Sequence, residues 1–344
     1  MVAQPTNPET IAAAFTQAFG YDSELVAGIA AYRCHPYRRT LIDPPVIWSE
    51  GPTRLLDYGG SGPTIVFVPS LINRAYILDL AEDASFLRYL AAQDTHPLLV
   101  DWGWPGGLER DFTLTDYIAG RLERMIQALD RPVILAGYCM GGLLALAAAI
   151  RLPSRVSALA LLATPWDFHA ENAEAARSMG ATLSVMEPMM RMTGTMPIDA
   201  LQMLFATIDP FGVTDKYRDF ARLDPETARA RRFVALEDWL NDGVPLPASI
   251  AREAIAHWYG ENAPACGAWR IAGLAVDPAR IDMPVLCAIP ERDRLVPPAS
   301  SSALAALITH ATCIRPNTGH IGMIAGVNAP TALWQPFLNW VRGL

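Results

Sequence analysis

The feature that most constrains this chain is a cysteine ringed by glycines, Gly137-Tyr138-Cys139-Met140-Gly141-Gly142, standing between the apolar run Val133 to Ala136 and the small-residue run Leu143 to Ile150. A strand that turns directly into a helix forces its central residue into a strained backbone, and side chains at the flanking positions would strike strand and helix. Glycines at those positions are what such an elbow requires. The turn would hold the Cys139 thiol up at the end of a strand, where the helix's first amides and positive dipole end favour negative charge. Taken alone, a cysteine in a glycine-rich apolar stretch is also what a small buried packing residue looks like. The same stretch, Pro132 to Ile150, carries no charge and is about as long as a membrane span. Gly137, Gly141 and Gly142 argue against a span, because they divide it into a strand, a turn and a helix.

The rest of the chain supplies the context. From Arg54 onward, short runs rich in Val, Ile and Leu alternate with helical patterns, at Thr64 to Val68, Pro97 to Asp101, Val133 to Ala136, Val156 to Ala163, Val285 to Ile289 and Ala311 to Arg315. Strands buried on both faces read this way, so an α/β architecture with a mostly parallel central sheet flanked by helices is expected. The rhythm stops between Trp166 and Met283, where a helical stretch rich in Met and aromatic residues includes MEPMMRMTGTM and FVALEDWLNDG. Its methionines suit either a helical core or a deformable apolar surface. The expected organisation is therefore a core of residues 54–166 and 282–344, an inserted and mainly helical cap at 167–281, and an N-terminal helical extension at 1–53 packing on the core. Amphipathic helices are expected in that extension at Ile11 to Phe19 and Leu25 to Tyr32, followed by a proline-rich connection.

A thiol with a pKa near ~8.5 is only a few per cent ionised at neutral pH and needs a base. Two later motifs offer one. After Val285 to Ile289 comes Glu291-Arg292-Asp293-Arg294-Leu295-Val296-Pro297, and after the last strand comes Thr318-Gly319-His320-Ile321-Gly322. The order nucleophile, acid, histidine is that of the α/β-hydrolase fold. In that scheme His320 takes the proton from Cys139 while Asp293 orients the imidazole. The oxyanion hole uses the backbone amide of Met140, with a second donor at Leu71 or Ile72 in the loop after Thr64 to Val68. Asp167 in TPWDF is a competing acid, and Asp293 could instead pair with Arg292 or Arg294. His35, His96, His169, His257 and His310 lack the glycine-flanked late loop.

Composition narrows the function further. A net charge of -8, with no run of Lys and Arg, gives no electrostatic reason to bind nucleic acid. The five cysteines are widely spaced, without a Cys-x-x-Cys pair that would suggest zinc or a redox dithiol. Together with an opening MVAQPTNPET that lacks a basic residue and an apolar run, they suggest a reduced, cytoplasmic protein with no transmembrane segment. The glycines Gly59, Gly60 and Gly62 precede a strand instead of joining strand to helix, so no dinucleotide site is expected, nor any metal or resident cofactor.

These motifs, with PSLINRAYILDL from Pro69 to Leu80, VDWGWPGGLERDFTLTDYI from Val100 to Ile118, and ATPWDF from Ala163 to Phe168, resemble the polyhydroxyalkanoate synthases. The likeness is greatest to the short class whose catalytic subunit works with a separate helper subunit. It runs from about Leu56 to the C-terminus and is loose in the cap, where REAIAHWYGEN is the best segment. The resemblance implies that Cys139, Asp293 and His320 form a catalytic triad acting on a 3-hydroxyacyl coenzyme A. It also implies a polyester product collected as a cytoplasmic granule, a homodimer or a helper subunit as partner, and coenzyme A present only as part of the substrate. A cysteine suits that chemistry, since attack on a thioester gives another thioester and the acyl group stays activated. The alternative is a hydrolase, namely a thioesterase, esterase or intracellular polyester depolymerase, that uses the same triad with water as acceptor.

Overall fold

The structure is a computed structural model that describes residues 22–208 and 212–344. Eight strands form its central sheet: β1 Val46–Glu50, β2 Thr53–Asp57, β3 Thr64–Val68, β4 His96–Asp101, β5 Val133–Tyr138, β6 Val156–Leu162, β7 Val285–Ala288 and β8 Thr312–Ile314. They lie in the order β1-β2-β4-β3-β5-β6-β7-β8. Only β2 runs against its neighbours, pairing antiparallel with both β1 and β4, while every pair from β4 to β8 is parallel. The mostly parallel sheet expected from the apolar runs is present, each of the six strands ending within two residues of its expected limits.

Alternation along the strands explains why both faces are covered. Val66, Val68, Val133 and Leu135 enter one apolar cluster, and Ile65, Phe67, Ile134 and Ala136 enter the other, as a period of two demands. On the first face lies the helix Met140–Arg151, whose residues from Met140 to Ile150 are all buried; its Ala, Gly and Leu sequence, apolar all round, belongs in an interior. The second face is sealed by aromatic packing, with Phe67, Phe86 and Phe337 in mutual contact at centroid separations of 5.2 to 5.8 Å.

The beginning of the chain departs from expectation. The expected helix at Ile11 to Phe19 lies outside the described residues. The one at Leu25 to Tyr32 is found as Ser23–Cys34, capped by the Asp22 carboxylate, which accepts the Leu25 amide at 3.0 Å. This helix packs chiefly on the insertion, against Gly212–Ala221, rather than on the sheet. A Cβ at Gly28 would collide with the Tyr217 carbonyl, and Arg218 pairs with Asp22. Val46–Glu50, within the stretch expected to be helical extension and connection, is the edge strand of the sheet. It is stitched to the core where Glu50 meets the guanidinium of Arg121 at 2.9 Å.

Between β6 and β7 the chain leaves the sheet for a series of helices, including Ala173–Ala181, Leu183–Thr193, Ala228–Asn241 and the π-helical turn Glu253–Gly260. Its methionines divide between the two expected roles. Met190 and Met196 are buried, whereas Met192 is largely exposed. Among the described residues no helix is long and apolar enough to cross a membrane.

Candidate active site

Strand β5 delivers Cys139 to the carboxyl end of the sheet, with φ +56° and ψ −128°, a conformation L-residues rarely adopt. Hydrogen bonds on both sides hold it there. The Cys139 amide donates to the Leu162 carbonyl at 2.9 Å, and the Cys139 carbonyl accepts the Gly142 amide at 2.9 Å. The flanking glycines are required by contact. A Cβ on Gly137 would strike the backbone of Gly142, and one on Gly141 would strike the carbonyl of Val68, so the helix start lies directly against the end of β3. The elbow read from the sequence is thus present.

The loop after β7 brings in Asp293, which is only 4% exposed. Its Oδ1 accepts the amides of Leu295 and Val296 at 2.9 and 2.8 Å, leaving Oδ2 to meet Nδ1 of His320 at 2.6 Å. His320 opens the short helix His320–Ala325. Its ring lies 5.0 Å from that of Tyr138, whose hydroxyl donates to the His320 carbonyl at 3.3 Å. Burial alone would depress the imidazole's pKa. The negative charge and hydrogen bonding of Cys139, with the hydrogen bond and charge of Asp293, outweigh it and push the imidazole up to about 10. The charged ring is therefore favoured at neutral pH, and the arrangement is suited to a thiolate and imidazolium pair backed by a carboxylate.

Of the two acids weighed, Asp293 is the one in contact with His320. Asp167 Oδ1 instead accepts from Asn262 Nδ2 at 2.8 Å and from the His169 amide at 2.9 Å, which ties the start of the insertion to its later helices. The oxyanion donors are less evenly placed than expected. Met140 is the first residue of the elbow helix, so its amide has no carbonyl one turn earlier to receive it. The Ile72 amide already donates to Ser70 Oγ at 3.1 Å, and the Leu71 side chain is buried in the core. Ser70 itself lines the cavity; it lies in the motif Pro69 to Leu80 but was given no role of its own from the sequence.

Cys139 and His320 open onto a cavity of about 960 Å³ between sheet and insertion. To the lining of this cavity the insertion supplies the aromatic residues Phe168, Trp258 and Tyr259 and the polar residues Gln202, Lys216 and Glu237. The Lys216 ammonium is held by both oxygens of Glu237 at 2.7 and 2.9 Å. The sequence reading marked the insertion as rich in aromatic residues but did not place Phe168, Trp258 and Tyr259 on the cavity wall.

The profile of the Alpha/beta hydrolase family matches residues 65–332. Among curated proteins, the poly(3-hydroxyalkanoate) polymerase subunit PhaC of Haloferax mediterranei is 30% identical over 309 residues, covering 86% of this chain and 63% of that protein. The PhaC subunit of Allochromatium vinosum is 29% identical over 287 residues, 81% of this chain and 80% of its own length. This chain thus spans less than two thirds of the Haloferax protein and about four fifths of the Allochromatium one. Among solved structures, the meta-cleavage product hydrolase CumD of Pseudomonas fluorescens shares the fold with a TM-score of 0.54 at 17% identity, over 85% of this chain and 94% of that one.

Proposed function

This chain belongs to the alpha/beta hydrolase family, and on that footing we propose that it is an acyltransferase that polymerises 3-hydroxyacyl groups from coenzyme A thioesters through an acyl-cysteine intermediate. The observation that carries this reading is the presence, in one cavity, of an elbow cysteine and a histidine bound to a buried carboxylate. The similarity to PhaC polymerase subunits supports the choice of substrate.

In the scheme, the Cys139 thiolate attacks the thioester carbonyl, and the oxyanion that forms is met by the Met140 amide. The tetrahedral intermediate collapses with loss of the coenzyme A thiolate, which leaves as the thiol after taking the proton of the His320 imidazolium. The acyl group remains on Cys139 as a thioester, keeping the activation of the bond that was broken. The imidazole, now neutral, removes the proton from the hydroxyl of a second hydroxyacyl unit or of a growing chain. That oxygen attacks the acyl-cysteine, an ester bond forms, and the sulfur leaves as thiolate beside a protonated His320. Asp293 holds Nδ1 throughout, so that Nε2 faces the sulfur and carries the moving proton. Coenzyme A enters as part of the substrate and leaves as the free thiol, and the scheme uses no resident cofactor.

Purified protein given 3-hydroxybutyryl coenzyme A tests this reading, with released thiol and polymer followed together. Thiol with polymer is the expected result. Thiol with free 3-hydroxybutyrate would instead make the protein a thioesterase, and no thiol would remove the acyl-transfer reading.

A further inference from the structure

Among the polar groups of the cavity that have no part in the scheme above is the Tyr259 hydroxyl. Tyr259 is the penultimate residue of the π-helical turn Glu253–Gly260 in the insertion and lines the same cavity as Cys139 and His320. Turns of this kind hold an extra residue and are frequent at functional sites. The residue is held on two sides. Its ring meets Phe168 edge-on at a centroid separation of 4.9 Å, and its carbonyl accepts from Nε2 of His169 at 2.8 Å. Its hydroxyl, by contrast, has no hydrogen-bond partner among the described residues, whereas those of Tyr32, Tyr138 and Tyr217 donate to Asp238, the His320 carbonyl and Glu237. Burial, and after it the negative charge at Cys139, push the Tyr259 phenol up to about 12, so it remains an O–H donor throughout the neutral range.

A fixed donor that faces a cavity and has no protein acceptor is placed for an acceptor on a ligand. We propose that Tyr259 is a specificity-determining residue whose hydroxyl donates to the 3-hydroxyl oxygen of the acyl group entering Cys139, an inference that rests on the acyltransferase reading. The chemistry of the acyl group selects this atom. Its carbonyl oxygen belongs to the amides of the elbow, on the sheet side, while Tyr259 approaches from the insertion. The only other polar atom of a simple 3-hydroxyacyl group is the hydroxyl on the second carbon from the carbonyl. The neighbours in contact with Tyr259 on this wall are aromatic, Phe168 packing on both Tyr259 and Trp258, and so provide a surface for the hydrocarbon beyond. A site that hydrogen-bonds a substrate hydroxyl discriminates strongly against the analogue lacking it, because the buried donor is then left unpaired.

The test compares 3-hydroxybutyryl and butyryl coenzyme A in the wild-type protein and in Tyr259→Phe. Coenzyme A released in the first turnover is read by rapid quench, giving kcat/KM for acylation. The wild type is expected to prefer the hydroxylated thioester, and Tyr259→Phe to lower that preference at least ~10-fold while the butyryl rate stays within about twofold. Because the hydroxyl binds no protein group, the variant should melt no lower than the wild type. An unchanged preference, a wild type without preference, or a variant that loses both rates equally would overturn the inference while leaving the acyltransferase reading intact. A wild type that is acylated by neither thioester would remove both.

Discussion

Replacing Asp293 by asparagine isolates the carboxylate's contribution, since the structure indicates what survives the change. The backbone amides of Leu295 and Val296 both donate to Oδ1, and an asparagine Oδ1 can accept them equally well. The loop should therefore keep its shape, with stability within about 1–3 kcal/mol of the wild type. What changes is the 2.6 Å contact to Nδ1 of His320, where a carboxylate oxygen is replaced by an NH₂ group that donates. The imidazolium loses a charge-assisted hydrogen bond worth roughly 1.5–3 kcal/mol, which alone amounts to a factor of about 10–150. Nδ1 must also become an acceptor, so the neutral ring would carry its proton on Nε2 and direct it at the sulfur, the wrong tautomer for a base. The same change in a Ser-His-Asp enzyme costs about 10⁴. A thiol is far easier to ionise than a serine hydroxyl, so we expect a fall of roughly 10²–10³ in the acylation rate, measured as coenzyme A released in a single turnover. Acylation within about threefold of the wild type, in a variant shown to be folded, would mean that His320 does not depend on Asp293 and would refute this reasoning.

Other consequences follow from the same contacts. Because His320 is raised to about 10 from an ordinary value near 6.5, the stability it contributes is complete below pH ~6.5 and lost as pH rises through about 10. The ring's titration followed by NMR should have its midpoint well above 6.5 in the wild type and lower in Cys139→Ala, which lacks the sulfur's charge; the same midpoint in both would contradict that cause. In Gly141→Ala the new Cβ meets the Val68 carbonyl, so urea unfolding should show a loss of at least about 2 kcal/mol despite alanine's better helix propensity, and a gain in stability would show that the elbow has room. Burial foremost pushes the Cys287 thiol up to about 12, so brief iodoacetamide treatment at neutral pH should label Cys139 and the exposed Cys266 and Cys313 ahead of Cys287; early labelling of Cys287 would show that β7 opens readily.

Those parts of the fold that bury both faces of a strand were legible in the sequence. Runs such as Thr64 to Val68 and Val285 to Ile289 are almost uninterruptedly apolar because helices cover each side of the sheet. The hairpin of β1 and β2 was not legible. Val46–Glu50 is an edge strand, exposed or half-buried throughout, so its residues bear no clear burial pattern. Gly51-Pro52 supplied only a turn signal. The elbow, the acid loop and the histidine loop were legible because each needs particular residues at short range. The wall facing the sulfur depends instead on how the insertion folds back on the core. Asp167 remained a competitor to the favoured Asp293 for the same reason, since its engagement by Asn262, far along the chain, is a tertiary fact. In Glu253–Gly260 the helical period is itself shifted, and spacing alone could not indicate that Tyr259 would face the cavity.

The central claim is that an acyl group passes through the sulfur of Cys139. Mixing the protein with 3-hydroxybutyryl coenzyme A, quenching in acid within the first turnover and sequencing the peptides by mass spectrometry observes that bond directly. The expected result is one hydroxybutyryl group on the peptide containing Cys139, removable by neutral hydroxylamine as a thioester is. Rapid release of coenzyme A with Cys139 unmodified at every quench time, or with the acyl group on another residue, would contradict it.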